Sequence, residues 1–181
     1  MKKIQFGLET FGDVAYDDTT GDRLSYEQSL RNIVAEGILA DKLGVDVFGL
    51  GEHHREEYSI SAPDTVLAAL SQVTDNIILG TGVTVLSSDD PVRVYERFAT
   101  IDALSNGRAQ IMAGRGSFTE SFPLFGFNLE NYNELFEEKL ALLNELIKNE
   151  PVTWEGVHTQ SLDNIQVYPK IENTLDVHVG V

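Results

Sequence analysis

Cysteine is absent from the 181 residues, which excludes disulfides, iron–sulfur clusters and thiol catalysis. Basic residues are scarce: 13 Lys and Arg stand against 29 Asp and Glu, a formal charge of −16. A surface of that sign repels phosphate backbones and anionic membranes, so neither nucleic acid nor a membrane is an expected partner. Any anionic cofactor must then be held by a local basic or amide-rich site. No apolar run approaches ~18 residues, so no transmembrane helix is expected. The opening Met1-Lys2-Lys3-Ile4-Gln5-Phe6-Gly7-Leu8-Glu9 is interrupted too often by polar residues to be a signal peptide. The expected location is cytoplasmic. Linker-like and low-complexity stretches are lacking as well, which predicts one domain over residues 1–181.

What is present is an alternation of short apolar strands with longer helical segments. Ile4 to Leu8 reads as a strand, followed by a polar loop from Asp13 to Asp22. Ser25-Tyr26-Glu27-Gln28 is a capping box, and Leu30, Ile33, Val34, Ile38 and Leu43 give an apolar helical face that Gly44 ends. Val45 to Leu50 is a second strand. A helix runs from Pro63 to about Val73, and Ile77 to Val85 is a β-branched third strand. Asp90-Pro91 supplies an N-cap and N1 proline for a helix to about Leu104, closed by Asn106-Gly107. Ala109 to Ala113 is a fourth strand, and Asn131 to Ile147 a long amphipathic helix with Pro151 beyond it. Val152 to Glu155 and Asn164 to Tyr168 suggest a hairpin, and Leu175 to Val181 a fifth core strand.

Nearly continuous apolar strands separated by helices predict an α/β fold with a parallel sheet. A doubly wound open sheet and a (β/α)8 barrel both fit this pattern. A complete barrel takes ~250 residues, so four βα units plus a fifth strand amount to about half of one.

In either architecture the functional edge is the carboxyl end of the strands. Gly51-Glu52-His53-His54-Arg55, Thr81-Gly82-Val83-Thr84-Val85 and Gly114-Arg115-Gly116-Ser117 all fall there. An imidazole at such an edge suits acid–base work near neutral pH; it could equally pack under a loop. Glu52, His53 and His54 also invite a metal-dependent hydrolase. Adjacent residues in extended backbone point to opposite sides, however, and no HxH or HxxxH spacing supplies a second pair, so no metal site is expected. Arg115 and Ser117, set among glycines that allow close approach, offer an anion contact; an arginine there could equally pair with one of the many carboxylates. Gly80 and Gly82 around Thr81 mark backbone close to a ligand or a bulge. Phe118, Phe122, Phe125 and Phe127 read as core or lid packing rather than a stacking platform.

Taken together these segments resemble the bacterial luciferase-like flavin-dependent monooxygenases. The likeness is carried, in order, by Glu52-His53-His54, Leu79-Gly80-Thr81-Gly82-Val83, Asp90-Pro91-Val92-Arg93, Ile101 through Arg108, Gly114-Arg115-Gly116-Ser117 and Phe125-Gly126. The resemblance implies the N-terminal portion of a (β/α)8 TIM barrel binding FMN at the strands' carboxyl ends. Reduced FMN would come from a separate flavin reductase, and oxygen would be used on a small organic substrate. A deazaflavin is the less favoured cofactor, since the motifs look closer to FMN-type members. His53 matches the family's active-site histidine, with Glu52 beside it. The Gly82-Val83 bond matches a non-prolyl cis peptide beneath the isoalloxazine, and Arg115 an arginine near the flavin phosphate, with Ser117 adjacent. Thr81 and Gly114 complete the cofactor-binding set that the resemblance implies. Gly114 stands where the luciferase subunit has a reactive cysteine, so any thiol-dependent feature is absent.

In relatives the loop after the fifth strand contacts the FMN phosphate, whereas this sequence stops at Val179-Gly180-Val181. If 181 residues are the whole polypeptide, one copy cannot close a barrel. The alternative to an active oxidoreductase is therefore a non-catalytic half-barrel that oligomerises, with flavin binding weak or lost. The family's dimer contacts, and hence a homo-oligomer here, would involve the segments around Thr65 to Gln72 and Val92 to Leu104.

Overall fold

The structure, a computed structural model, describes residues 4–172 and 174–180. The opening Met1-Lys2-Lys3 and the last residue of the expected fifth strand, Val181, lie outside the described residues. Strand β1 (Gly7–Thr10) starts later than its apolar run suggests. The Phe6 N–H donates to the Asp46 carboxylate at 3.0 Å instead of joining a ladder. Helix α1 (Tyr26–Leu43) begins as expected, with the Ser25 hydroxyl accepting from the Gln28 N–H. At its end Gly44 turns left-handed at φ 77°, a conformation that glycine reaches without a Cβ penalty. Val45 N–H still bonds back to Ala40 carbonyl at 3.1 Å, so β2 is confined to Val47–Leu50.

Helix α2 (Pro63–Ser71) leads to β3 (Ile78–Thr81) and β4 (Thr84–Val85). The expected third strand is thus two strands, parted at a cis Gly82–Val83 peptide. Helix α3 (Pro91–Ser105) is capped by the Asp90 carboxylate, which accepts from the Val92 and Arg93 N–H groups, and closes on Asn106 at φ 58°. Strand β5 (Ala109–Gly114) follows. The five-residue α4 (Ser121–Phe125) was not anticipated, because one turn and a half is too short to show helical periodicity. Helix α5 (Tyr132–Leu146) precedes the antiparallel hairpin β6 (Val152–Trp154) and β7 (Leu162–Ile165), and β8 (Asp176–Val179) is the fifth core strand.

The sheet has six strands, all parallel, in the order β1-β2-β3-β5, with β4 and β8 also pairing to β5. Each core strand is added beyond the last with no reversal, which excludes the doubly wound order, whose strands turn back at a switch point. Phe48, Leu50, Leu79 and Ile111 on its outer face pack into one core with Leu67, Leu70, Val94, Phe98, Leu142 and Leu143 from the helices. Burying each such side chain contributes roughly 1.5–3 kcal/mol. The other face is lined by glycine beneath long polar side chains. A Cβ at Gly49 or Gly82 would run into Glu9, and one at Gly80 into Gln110. The α/β class and parallel sheet stand as expected, but the described residues form no closed barrel. Among the described residues β1 pairs only with β2, and β8 only with β5.

Arg108 fastens the amino end of the sheet. Its guanidinium donates to the carbonyls of Ser71, Thr74, Ile77 and Ser105 and to the Thr74 hydroxyl, at 2.8 to 3.2 Å. The last member of the Ile101–Arg108 segment is therefore a structural clasp.

Candidate active site

At the carboxyl edge the backbone leaves β2 through Gly51 and turns, with His53 N–H donating to the Ile60 carbonyl at 2.9 Å. The extended course sends adjacent side chains apart, as alternation requires. His53 lines a cavity of about 560 Å³ above the sheet; His54 lines another of about 410 Å³ behind it. Glu52 borders both. Among the described residues no group of three His, Cys, Asp or Glu side chains could hold a metal ion.

Of the expected set, Glu52, His53, Gly82, Val83, Gly114, Arg115 and Ser117 all line the first cavity. Thr81 does not. Its buried hydroxyl lies 2.9 Å from that of Thr84 and accepts from the Met112 N–H at 3.3 Å, filling the gap where the third strand breaks. Gly114 and Gly180 keep room for Val83: a Cβ on either would come within 2.9 Å or less of its side chain.

His53 is ringed by aromatic groups. Tyr58 lies 4.4 Å away centroid to centroid, with Phe118 at 4.9 Å and Phe11 at 5.1 Å edge-on. Burial in this ring pushes the imidazole pKa below its ordinary value, outweighing the opposing pull of Glu120, Glu52 and Asp13. The Nδ1 atom is buried without a hydrogen-bond partner, the nearest carboxylate being Glu120 at 3.8 Å. A neutral imidazole with an unspent nitrogen beside an open cavity is fit to take or give a proton. His54 is the opposite case. Its Nε2 lies 3.0 Å from Glu52 Oε1, and that bond raises its pKa against the effect of burial. Glu52 in turn accepts the Val85 N–H on Oε2 at 3.1 Å.

Arg115 stacks its guanidinium 4.4 Å above the Phe136 ring, and its Nε is buried without a partner. No carboxylate among the described residues forms an ion pair with it, so it keeps donors free for an anion. Tyr132 holds the loop by donating to the Gly116 carbonyl at 2.9 Å.

The sequence reading passed over Phe11, Tyr58, Tyr132 and Glu120. Nothing in their spacing marks them, since they arrive from separate loops. The four phenylalanines prove not to be one cluster. Phe118 faces His53, Phe125 faces His54, Phe122 stacks on Tyr132, and Phe127 covers the Lys139 ammonium.

Fold and site together define an α/β protein with a partly aromatic cavity at the carboxyl edge of a parallel sheet, equipped with a buried imidazole and a free guanidinium. Residues 5–180 match the family described as luciferase-like monooxygenase. The chain belongs to that family. It is 30% identical over 166 residues to the protein y4wF of Sinorhizobium fredii, covering 91% of this chain and 48% of the relative. To limonene 1,2-monooxygenase of Rhodococcus erythropolis it is 35% identical over 114 residues, covering 62% and 30%. The oxygenating constituent of 3,6-diketocamphane monooxygenase from Pseudomonas putida, solved with FMN, superposes with a TM-score of 0.80 at 20% identity. That superposition covers 98% of this chain and 51% of the other. An F420-dependent secondary alcohol dehydrogenase, solved with an F420-acetone adduct, gives 0.77 at 19% identity, covering 98% and 52%. The chain thus spans about half the length of these proteins or less. No described helix is long and apolar enough to cross a membrane.

Proposed function

We propose that this chain is the flavin-binding portion of a monooxygenase that takes reduced FMN and oxygen and oxidises a small organic substrate. The observation that carries the reading is the convergence of His53, the Gly82–Val83 peptide and the unpaired Arg115 on one cavity of about 560 Å³. The residues fit such a cofactor. Gly82, Gly114 and Gly116 bring backbone to the cavity, Arg115 and Ser117 suit its phosphate, and Phe11, Tyr58 and Phe118 offer an apolar wall. FMN, once reduced, supplies the electrons that activate oxygen. The chain's own work is to exclude water with that wall and to hold a neutral imidazole at His53 for proton transfer. In this reading the sheet is the first part of a (β/α)8 barrel, and a separate reductase delivers the flavin.

FMN and a deazaflavin, each titrated oxidised and reduced, test the proposal by absorbance and fluorescence. Saturable FMN binding that Arg115→Ala weakens by about tenfold, the worth of a charge-assisted contact, is expected. Preference for the deazaflavin would replace the cofactor; no binding of either would end the flavin reading for this chain.

A second reading, a half-barrel that oligomerises without catalysis, is favoured by one observation. Sheet edges β1 and β8 each have a single partner among the described residues, and Ile4 and Phe6 beside β1 are 75% and 72% exposed. A monomer in sedimentation would count against it.

A further inference from the structure

The imidazole of His53 lines the first cavity and the surface groove beside Tyr26 and Arg55. Phe11, Tyr58 and Phe118 pack around it, and Nδ1 has no hydrogen-bond partner. A monooxygenase that receives its reduced flavin as the monoanion needs one proton per turnover, because one oxygen atom leaves as water while the other enters the substrate. A second entry for that proton lies through the neighbouring cavity.

Glu52 provides the connection. Its carboxylate borders the first cavity and the second, and its side chain is only 10% exposed. One oxygen is fixed by the Val85 N–H, and the other meets His54 Nε2 at 3.0 Å. His54 also lines the second cavity and the surface groove beside Tyr26 and Arg55. The second cavity has polar walls, with Asp89, Arg97, Lys139 and His158 among them. A chamber of about 410 Å³ so furnished has the room and the polar partners that water needs. The charged groups acting on His54 are the carboxylates of Glu52 and Glu120, both of which favour its protonated form, while Phe125 closes one side edge-on at 5.1 Å. Across the cavity, Asp89 is close enough to feel the charge of Glu52, and Arg97 pairs with Asp89.

We propose that the Glu52–His54 pair is a proton relay joining the second cavity to the first. Water in the second cavity gives a proton to the ring nitrogen of His54 that does not face Glu52. The Nε2 proton passes to Glu52 Oε1, and Glu52 releases it into the first cavity. One proton moves and no electrons do. The pair resets when His54 returns the proton on its other ring nitrogen to the second cavity and takes another from there on Nε2, so that one proton in all has crossed. What the relay feeds rests on the flavin reading above; the contact between Glu52 and His54 that divides the cavities does not.

The test compares wild type with His54→Asn, which keeps a donor for Glu52 but carries no titrating proton, and with Glu52→Gln. Imidazole NMR titration of the full chain should find His54 protonating above the ordinary histidine value, and dropping in Glu52→Gln. FMN affinity, measured by fluorescence, should stay within about twofold in His54→Asn. Single-turnover rates should fall by roughly tenfold or more, lose their limb near neutral pH, and recover when imidazole is added to fill the second cavity. A His54 whose titration Glu52→Gln leaves unmoved overturns the relay, with or without flavin. So does a His54→Asn protein with the wild-type pH profile, or a deficit that imidazole leaves unchanged. Failure of wild type to bind FMN refutes the flavin reading instead, and the His54 titration alone then decides whether the pair carries a proton.

Discussion

Replacing Gly114 with alanine should destabilise this protein, although the change carries no backbone penalty. A Cβ built there lies 2.5 Å from Val83 Cγ2, 2.9 Å from Cβ and 3.1 Å from Cγ1. Val83 cannot retreat freely, because its Cγ1 also fills the space beside Gly180, where an added Cβ would sit at 2.9 Å. Overpacking of this kind costs about 1–3 kcal/mol. The lost freedom of glycine in the unfolded chain returns about 0.4–1 kcal/mol. The net is a loss of roughly 1–2 kcal/mol, or a Tm lower by about 2–8 °C for a chain of this size. Val83→Ala alone should cost about 1 kcal/mol, since Val83 is only half-buried and loses two methyl groups. The double variant should be more stable than the sum of the two by at least about 0.5 kcal/mol, because the two short Cγ contacts are gone. Urea unfolding followed by circular dichroism on all four proteins measures each quantity. A Gly114→Ala protein as stable as wild type, or a double variant that is strictly additive, would refute the steric argument.

Lys139 is buried, donates to the Ser87 carbonyl at 2.8 Å, and lies 3.7 Å from the centre of the Phe127 ring. Burial pushes its pKa from 10.5 down to about 8 against the pull of Asp89, Asp90 and Glu138. The unfolded chain therefore binds more protons between those values, so this group makes stability rise with pH across that window, by on the order of 3 kcal/mol. Urea melts at several pH values from neutral upward should show the rise, and Lys139→Met should flatten it. Arg108→Lys keeps the charge but loses most of the fork that holds the carbonyls of Ser71, Thr74, Ile77 and Ser105. It should cost roughly 2–4 kcal/mol in thermal unfolding while leaving FMN affinity unchanged below the melting transition, since none of these groups borders the first cavity.

Local features were the most legible. Ser25, Gly44, Asp90 and Asn106 mark helix ends by their own hydrogen bonds and dihedral preferences, and the structure uses each of them so. Strand boundaries were less so. The Asp46 carboxylate and the Ala40 carbonyl take the N–H groups of Phe6 and Val45, which shortens the first two strands at their starts by competition that no periodicity records. Seven of the expected site residues converge because they follow strands of one sheet, and in a parallel sheet all such ends share one edge. Thr81 misses the cavity because alternation along β3 turns its side chain under the sheet, where the broken ladder needs a hydroxyl.

Composition and periodicity alone determined that this chain carries a parallel α/β sheet, for that depends on neighbours a few residues apart. Tertiary structure alone decided the single winding direction, the aromatic ring about His53, the two cavities divided by Glu52, and the freedom of Arg115. Each of these depends on residues brought together from distant loops. The field, burial and contacts that set a side chain's chemistry belong to the folded surroundings rather than to the residue type.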